Sequence, residues 1–249
     1  MLTKFKHSGH SGDIIYSLAL VHAYWKLTGV KASYHIKLNV ESQTKGHSMG
    51  KYMISRSTFD FLKPLLLAQP YIEEVIPYKE GDHIDYDLDI FREKPINLSS
   101  GHIALWNCLE YPELTPNLAE PWLYCQPFSV SAKIMARSMR YTNPMISYAG
   151  MGAGGFIGLP NEYKWACQYL NSDLTHLQVE DALHMAEVIA GCDTFVGNQS
   201  FPFAIAEGLK VTRVLESYQG APNVIPIGGK AYQFYDQKSF DKSIILLTL

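Results

Sequence analysis

The stretch Phe195-Val196-Gly197-Asn198-Gln199-Ser200-Phe201-Pro202-Phe203-Ala204-Ile205-Ala206-Glu207-Gly208-Leu209 constrains the fold more than any other part of the chain. It reads as the end of a buried strand, a polar turn, and then a helix of small and apolar residues. Ser200 suits the N-cap, and Pro202 fits the first helical turn, where its missing N–H is not needed. Gly208 can end the helix. A helix start preceded by Gly197, Asn198, Gln199 and Ser200 offers backbone N–H groups, an amide and a hydroxyl to an anion. The helix dipole favours negative charge there by roughly 0.3–1 kcal/mol, which suits a phosphate or pyrophosphate. An ordinary capped helix in an α/β domain would read the same way from this segment alone.

A second turn of the same kind lies at the N-terminus. A short strand at 2–6 runs into His7, Ser8, Gly9, His10, Ser11 and Gly12, and a helix starts near Asp13 with Ile14, Ile15, Leu18, Val21 and Ala23 as its apolar residues. Glycine at 9 and 12 permits the close backbone approach that a ligand-touching loop needs. Asp13 in the first turn can cap the helix, or it can be a base aimed into a cleft. His7 and His10 can touch a phosphate or fill structural roles. One glycine-bearing strand-to-helix turn in each half of the chain suggests two α/β domains facing each other across a ligand.

Between and around these turns the pattern alternates. Strands are expected at 32–38, 70–77, 86–91, 145–149, 194–196 and 211–216, and helices at 58–68, 161–169, 179–190 and 201–208. Residues 39–57 and the proline- and aromatic-rich 94–128 read as irregular. A helix at 130–140 would put Lys133, Arg137 and Arg140 on one face, a solvated stripe or a phosphate- or acceptor-facing patch. Gly150-Met151-Gly152-Ala153-Gly154-Gly155 satisfies the spacing of a dinucleotide loop, but Phe156 to Pro160 reads as strand where that motif opens a helix, so the match is a decoy. Such alternation implies parallel sheets covered by helices, with ligands at the carboxyl ends of the strands. The boundary falls near Asn143-Pro144, giving domains 1–142 and 143–249.

Bulk properties narrow the function classes. The net charge of −3 leaves no global basic field to draw the chain to nucleic acid or anionic lipid. No apolar run of about 18 residues suggests a membrane span, and the N-terminus lacks the apolar core of a signal peptide. Cys108, Cys125, Cys167 and Cys192 are widely spaced, which fits reduced thiols and gives no zinc pattern. A cytoplasmic location is expected.

On two sets of residues the chain resembles glycosyltransferases of the GT-B fold, in the family-9, heptosyltransferase-like group. One set is Ser11-Gly12-Asp13-Ile14-Ile15-Tyr16-Ser17-Leu18; the other runs from Phe156-Ile157-Gly158-Leu159-Pro160-Asn161-Glu162-Tyr163 through Met185 to Cys192 and on to Leu209. The resemblance implies a compact pair of Rossmann-like domains with parallel sheets facing across a cleft. It implies an inverting transfer of sugar from a nucleotide-diphosphate donor to a hydroxyl acceptor, without metal or other cofactor. Carried over, Asp13 takes the acceptor proton, and Ser200 with Gly197, Asn198 and Gln199 holds the diphosphate. Glu207 or Glu216 binds the ribose. The acceptor would be a glycan, a lipid-linked sugar or a modified DNA base. The turn at 197–200 lacks the Asp-Thr/Ser-Gly pattern and following His of the heptosyltransferase group, so the sugar is not named by it. A non-catalytic nucleotide- or sugar-phosphate-binding module is the alternative, and a dinucleotide-dependent enzyme using 150–155 is a third; the oligomeric state is open.

Overall fold

The structure, a computed structural model, describes residues 2–42, 50–99, 101–129, 179–218, 220–236, 238–239 and 241–243, together with the backbone of three strands at Ile134–Arg137, Phe156–Leu159 and Thr175–His176. Helix 161–169, strand 145–149, the glycine run at 150–155 and Cys167 fall outside these residues.

The first half runs β1 (Thr3–His7), α1 (Ser11–Thr28), β2 (Ala32–Ile36), α2 (Arg56–Leu67), β3 (Ile72–Pro77) and β4 (Tyr86–Asp87), then a short α3 (Ile103–Trp106). The second runs β5 (Ile134–Arg137), β6 (Phe156–Leu159), β7 (Thr175–His176), α4 (Ala182–Gly191), β8 (Thr194–Asn198), α5 (Phe201–Leu209), β9 (Arg213–Glu216) and β10 (Ala231–Phe234). Two all-parallel sheets result, in the orders β3-β2-β1-β4 and β10-β9-β8-β5-β6-β7. Strand β2, β8 and β9 are buried along their whole length, as strands covered on both faces must be. In the first sheet the order reverses between β1 and β4, and in the second between β8 and β5. Those reversals are where doubly wound sheets open a crevice at their carboxyl edge. Both glycine-bearing turns leave strands that border one.

Helix α1 is apolar nearly all round, with Ile14, Ile15, Leu18, Leu20 and Val21 inaccessible. Such a helix is buried over most of its length, and α1 packs against α5 and, through Ser17 and Tyr34 of β2, against its own sheet, leaving only its last turn exposed. It ends at Gly29, whose φ of 70° gives the left-handed C-cap that glycine adopts without a side-chain clash. One apolar cluster runs continuously from Phe5 and Ile14 to Phe203 and Leu215, so the two halves share a core. Phe61 of α2 packs edge-on against Phe201 of α5, with ring centroids 6.2 Å apart. Trp122 pins the helices: its Nε1 donates to Ile15 O at 3.0 Å while its backbone N–H donates to Gly208 O at 3.0 Å.

Two elements differ from their sequence reading. The strand expected at 86–91 stops after Asp87, because the Asp87 carboxylate accepts the Asp89 N–H at 3.0 Å and turns the chain into a 3₁₀ helix at Ile90–Glu93. Within the helix expected at 130–140, Ile134–Arg137 form β5, paired with β6 on one side and β8 on the other. A spacing of three and four among basic residues is a local pattern, and pairing in the middle of a sheet overrides it. Lys133 and Arg140 lie outside the described residues, and Arg137 is described by its backbone alone. Strand β5 also begins before the boundary expected at 142 and 143, yet belongs to the second sheet.

Four histidines, His7, His22, His35 and His102, are buried in this core, and burial holds each below the usual imidazole range. The unfolded chain therefore takes up protons near pH 6.5, where the folded chain does not. Stability should be full above about pH 6.5 and fall as the pH drops toward the folded values, by at most about 1.4 kcal/mol per pH unit for each group. Urea midpoints measured from pH 7.5 to 5.5 should decline steadily; a flat profile would show that these rings are protonated as easily folded as unfolded.

Candidate functional site

Strand β1 delivers His7 to the carboxyl edge of the first sheet, where it is buried with Nδ1 accepting the Gly9 N–H at 2.8 Å. The next residue, Ser8, donates its N–H to Asp89 Oδ1 at 3.1 Å. Asp89 lies just past β4, on the far side of the crevice. Burial opposes its charge, but the Ser8 N–H and the cations Arg92 and Lys6 hold its carboxyl below the usual range. Arg92 Nε lies 3.4 Å from Asp89, and Arg92 Nη2 lies 3.0 Å from Asp13 Oδ2. Lys6 sits 3.6 Å from Asp89 and 2.7 Å from Asp87.

Asp13 is the third residue of α1, and its Oδ2 also accepts the N–H of the N-cap residue His10 at 3.2 Å. It is thus both a cap and one partner of an ion pair. Both bonds fall on Oδ2, and the side chain keeps 24% of its surface exposed. His10 Nε2 meets Ser42 Oγ at 3.1 Å, and Ser11 is buried in the first turn. A Cβ on Gly9 would lie 2.5 Å from Arg92 Nη2 and 2.6 Å from Asp13 Oδ2. A larger residue there would have to push the ends of these two side chains aside.

On the other side, Gly197 and Asn198 close β8, paired in register with Leu215 and Glu216 of β9. Asn198 is 3% exposed, and neither its Oδ1 nor its Nδ2 has a hydrogen-bond partner. Leaving such a group unmet costs roughly 1–3 kcal/mol. Ser200 takes the N-cap position of α5, but its hydroxyl donates to Asn198 O at 3.0 Å and makes no cap bond. The first N–H groups of α5 are therefore not met by their own cap. Gly12 completes the arrangement: a Cβ there would sit 3.8 Å from Phe201 N and 4.0 Å from Ser200 C. The N-termini of α1 and α5 abut, so two positive dipole ends lie side by side.

Not every expected residue comes to this junction. Both oxygens of Glu207 are taken inside the protein: Oε2 by Arg213 Nε, and Oε1 by Lys210 and by the Ile227 N–H at 3.1 Å. With 0% exposure, Glu207 has no route to a ribose, which leaves the buried Glu216 beside Asn198 as the carboxylate of that edge. Gln199 is likewise spent internally, on Tyr218, Ala221 and Asn223. Arg92 and Asp89 escaped the sequence reading. The run Asp87-Leu88-Asp89-Ile90-Phe91-Arg92 is visible as alternating charge, but its meeting with Asp13 across 79 positions is tertiary. Among the described residues no group of three or more His, Cys, Asp or Glu is set to hold a metal ion, and no helix is long and apolar enough to cross a membrane. Cys108, Cys125 and Cys192 are free thiols, pushed up by burial to about 11, about 11 and about 12.

Two parallel sheets on one shared core, each with a glycine-bearing helix start at its carboxyl edge, make this a chain of two Rossmann-like halves. Solved structures similar to this chain in fold include the ADP-heptose LPS heptosyltransferase II of E. coli, 13% identical, with 99% of this chain and 98% of that one covered and a TM-score of 0.63. The E. coli heptosyltransferase WaaC with ADP is 10% identical, with 99% of this chain and 100% of that one covered and a TM-score of 0.63. A glycosyl transferase of family 9 from Veillonella parvula is 11% identical, with 98% and 90% covered and a TM-score of 0.58. No family model matches the sequence, and no curated protein does.

Proposed function

We propose that the chain is an inverting glycosyltransferase that moves a sugar from a nucleoside-diphosphate donor to a hydroxyl of a glycan acceptor. The observation that carries this reading is the abutment of the α1 and α5 N-termini beside the unmet amide of Asn198. That junction favours an anion: two adjacent dipole ends together attract a negatively charged group beside them. In the proposed reaction the acceptor oxygen attacks the anomeric carbon as Asp13 Oδ1 takes its proton. The bond from that carbon to the diphosphate oxygen breaks, and the N–H groups of α5 stabilise the charge that develops there. Arg92 and the His10 N–H fix Asp13 through Oδ2. Glu216 is the candidate for the donor ribose. The fold likeness to heptosyltransferases, one of them with ADP, supports the reading and makes ADP the first nucleotide to try.

The test is a thermal-shift screen of ADP, GDP, UDP, CDP and TDP. At about 100 times its dissociation constant a ligand adds roughly 2.7 kcal/mol, which is several degrees for a chain of this size. One nucleoside diphosphate should stabilise the wild type. Asn198→Ala should lose that stabilisation while melting, without ligand, no lower than the wild type, because it deletes two unmet polar atoms. A flat response to every diphosphate would sink the proposal.

A further inference from the structure

We infer that Tyr218 is the platform on which the base of the donor nucleotide stacks, and that Gln199 and Gly220 exist to hold it there. The inference rests on the donor reading above and adds the residue that selects a nucleoside over a bare diphosphate. Tyr218 follows Glu216 and Ser217 directly, at the carboxyl edge of β9, and so borders the same crevice as Asn198. Tyr218 remains 44% exposed, although its own N–H, Ala221 and Asn223 are all held by hydrogen bonds.

The ties are specific. Gln199 Oε1 accepts the Tyr218 N–H at 2.6 Å, while Gln199 Nε2 donates to Ala221 O at 2.8 Å and to Asn223 Oδ1 at 3.0 Å. Asn223 in turn donates to Leu98 O at 3.0 Å and accepts the Ile103 N–H at 2.9 Å. One side chain from the β8–α5 turn thus clamps the loop after β9 to the helix start that faces the anion. Gly220 sets the ring: a Cβ there would lie 2.8 Å from Tyr218 Cζ and Oη and 2.9 Å from Cε1. The ring rests on the glycine backbone. An exposed aromatic ring on a braced loop loses little entropy when a flat ligand covers it. Bases stack on such rings whatever their sequence of donors and acceptors, because every base has a π-face.

The experiment measures the binding of the five nucleoside diphosphates and of inorganic pyrophosphate by calorimetry, with wild type, Tyr218→Ala, Tyr218→Phe and Gly220→Ala. Tyr218→Ala should weaken the tightest nucleotide about tenfold or more and leave pyrophosphate within about twofold, since stacking is lost and the helix N-terminus is not. Tyr218→Phe should bind like wild type, and Gly220→Ala, which displaces the ring without deleting it, should fall between. Equal binding of the nucleotide by Tyr218→Ala and wild type would overturn the platform. So would equal weakening of nucleotide and pyrophosphate, or a wild type that holds pyrophosphate as tightly as every nucleotide. A wild type that binds neither kind of ligand overturns the donor reading itself.

Discussion

Replacing Arg213 with alanine should destabilise the protein by about 3–5 kcal/mol, the usual result of removing one partner of a buried ion pair. Arg213 is completely buried, and its guanidinium meets the Glu207 carboxylate, Val211 O at 3.0 Å, Ile227 O at 2.8 Å and Gly228 O at 3.0 Å. Without it, the Glu207 carboxyl would be left in the core with only Lys210 and the Ile227 N–H as partners. Lys210 is itself a reluctant cation: burial lowers it to about 8, although Glu207 works the other way. Its ammonium sits 4.4 Å from the centre of the Trp122 ring. For a chain of this length the expected loss corresponds to roughly 6–20 °C in melting temperature. Chemical denaturation of Arg213→Ala and of the double variant Glu207→Leu/Arg213→Met would separate the parts. The double variant should recover much of the loss, because no charge is left buried without a partner. An Arg213→Ala protein within about 1 kcal/mol of wild type would show that the cluster contributes little. The cluster matters to the site because it locks the last turn of α5 to β9, which fixes where the helix start points.

Asp13→Asn should lower turnover by about a hundred- to ten-thousandfold in the proposed transfer, the range seen when a general base is removed, while nucleotide binding and melting temperature change little. Asparagine keeps an oxygen for the His10 N–H and the Arg92 guanidinium, so the loop should hold its shape. What it loses is the capacity to take a proton. Turnover is read with the donor that the nucleotide screen selects. An Asp13→Asn protein that transfers sugar at the wild-type rate would remove Asp13 from the chemistry. A wild type that binds donor and never turns over would favour the non-catalytic module.

The fold class was legible because its signals are local. Strand β8, the polar turn and α5 stand nearly where Phe195 to Leu209 indicated, since the hydrophobic run, the proline and the small residues all act within a few positions. The same holds for β1, the Ser8–Gly12 loop and α1, although the helix begins at Ser11 and not near Asp13. Strand β5 was misread because three basic residues at helical spacing were the strongest local pattern in a stretch whose state is decided by its neighbours β6 and β8. Glu207 shows the limit for side chains. At sequence level a glutamate in the last helical turn before a strand can face a ribose or the core, and only the approach of Arg213 and Lys210 makes it a core residue.

The sequence by itself determined the alternating α/β pattern, the two glycine-bearing helix starts and the residues that line them, because backbone preference and capping chemistry are short-range. Tertiary structure alone decided that the two starts abut at Gly12 and Phe201, and that Arg92 reaches back to Asp13. It alone made Gln199 a brace for Tyr218. These are meetings of segments far apart in the chain, and they follow from the order of strands in two sheets and the core they share, which no window of sequence encodes.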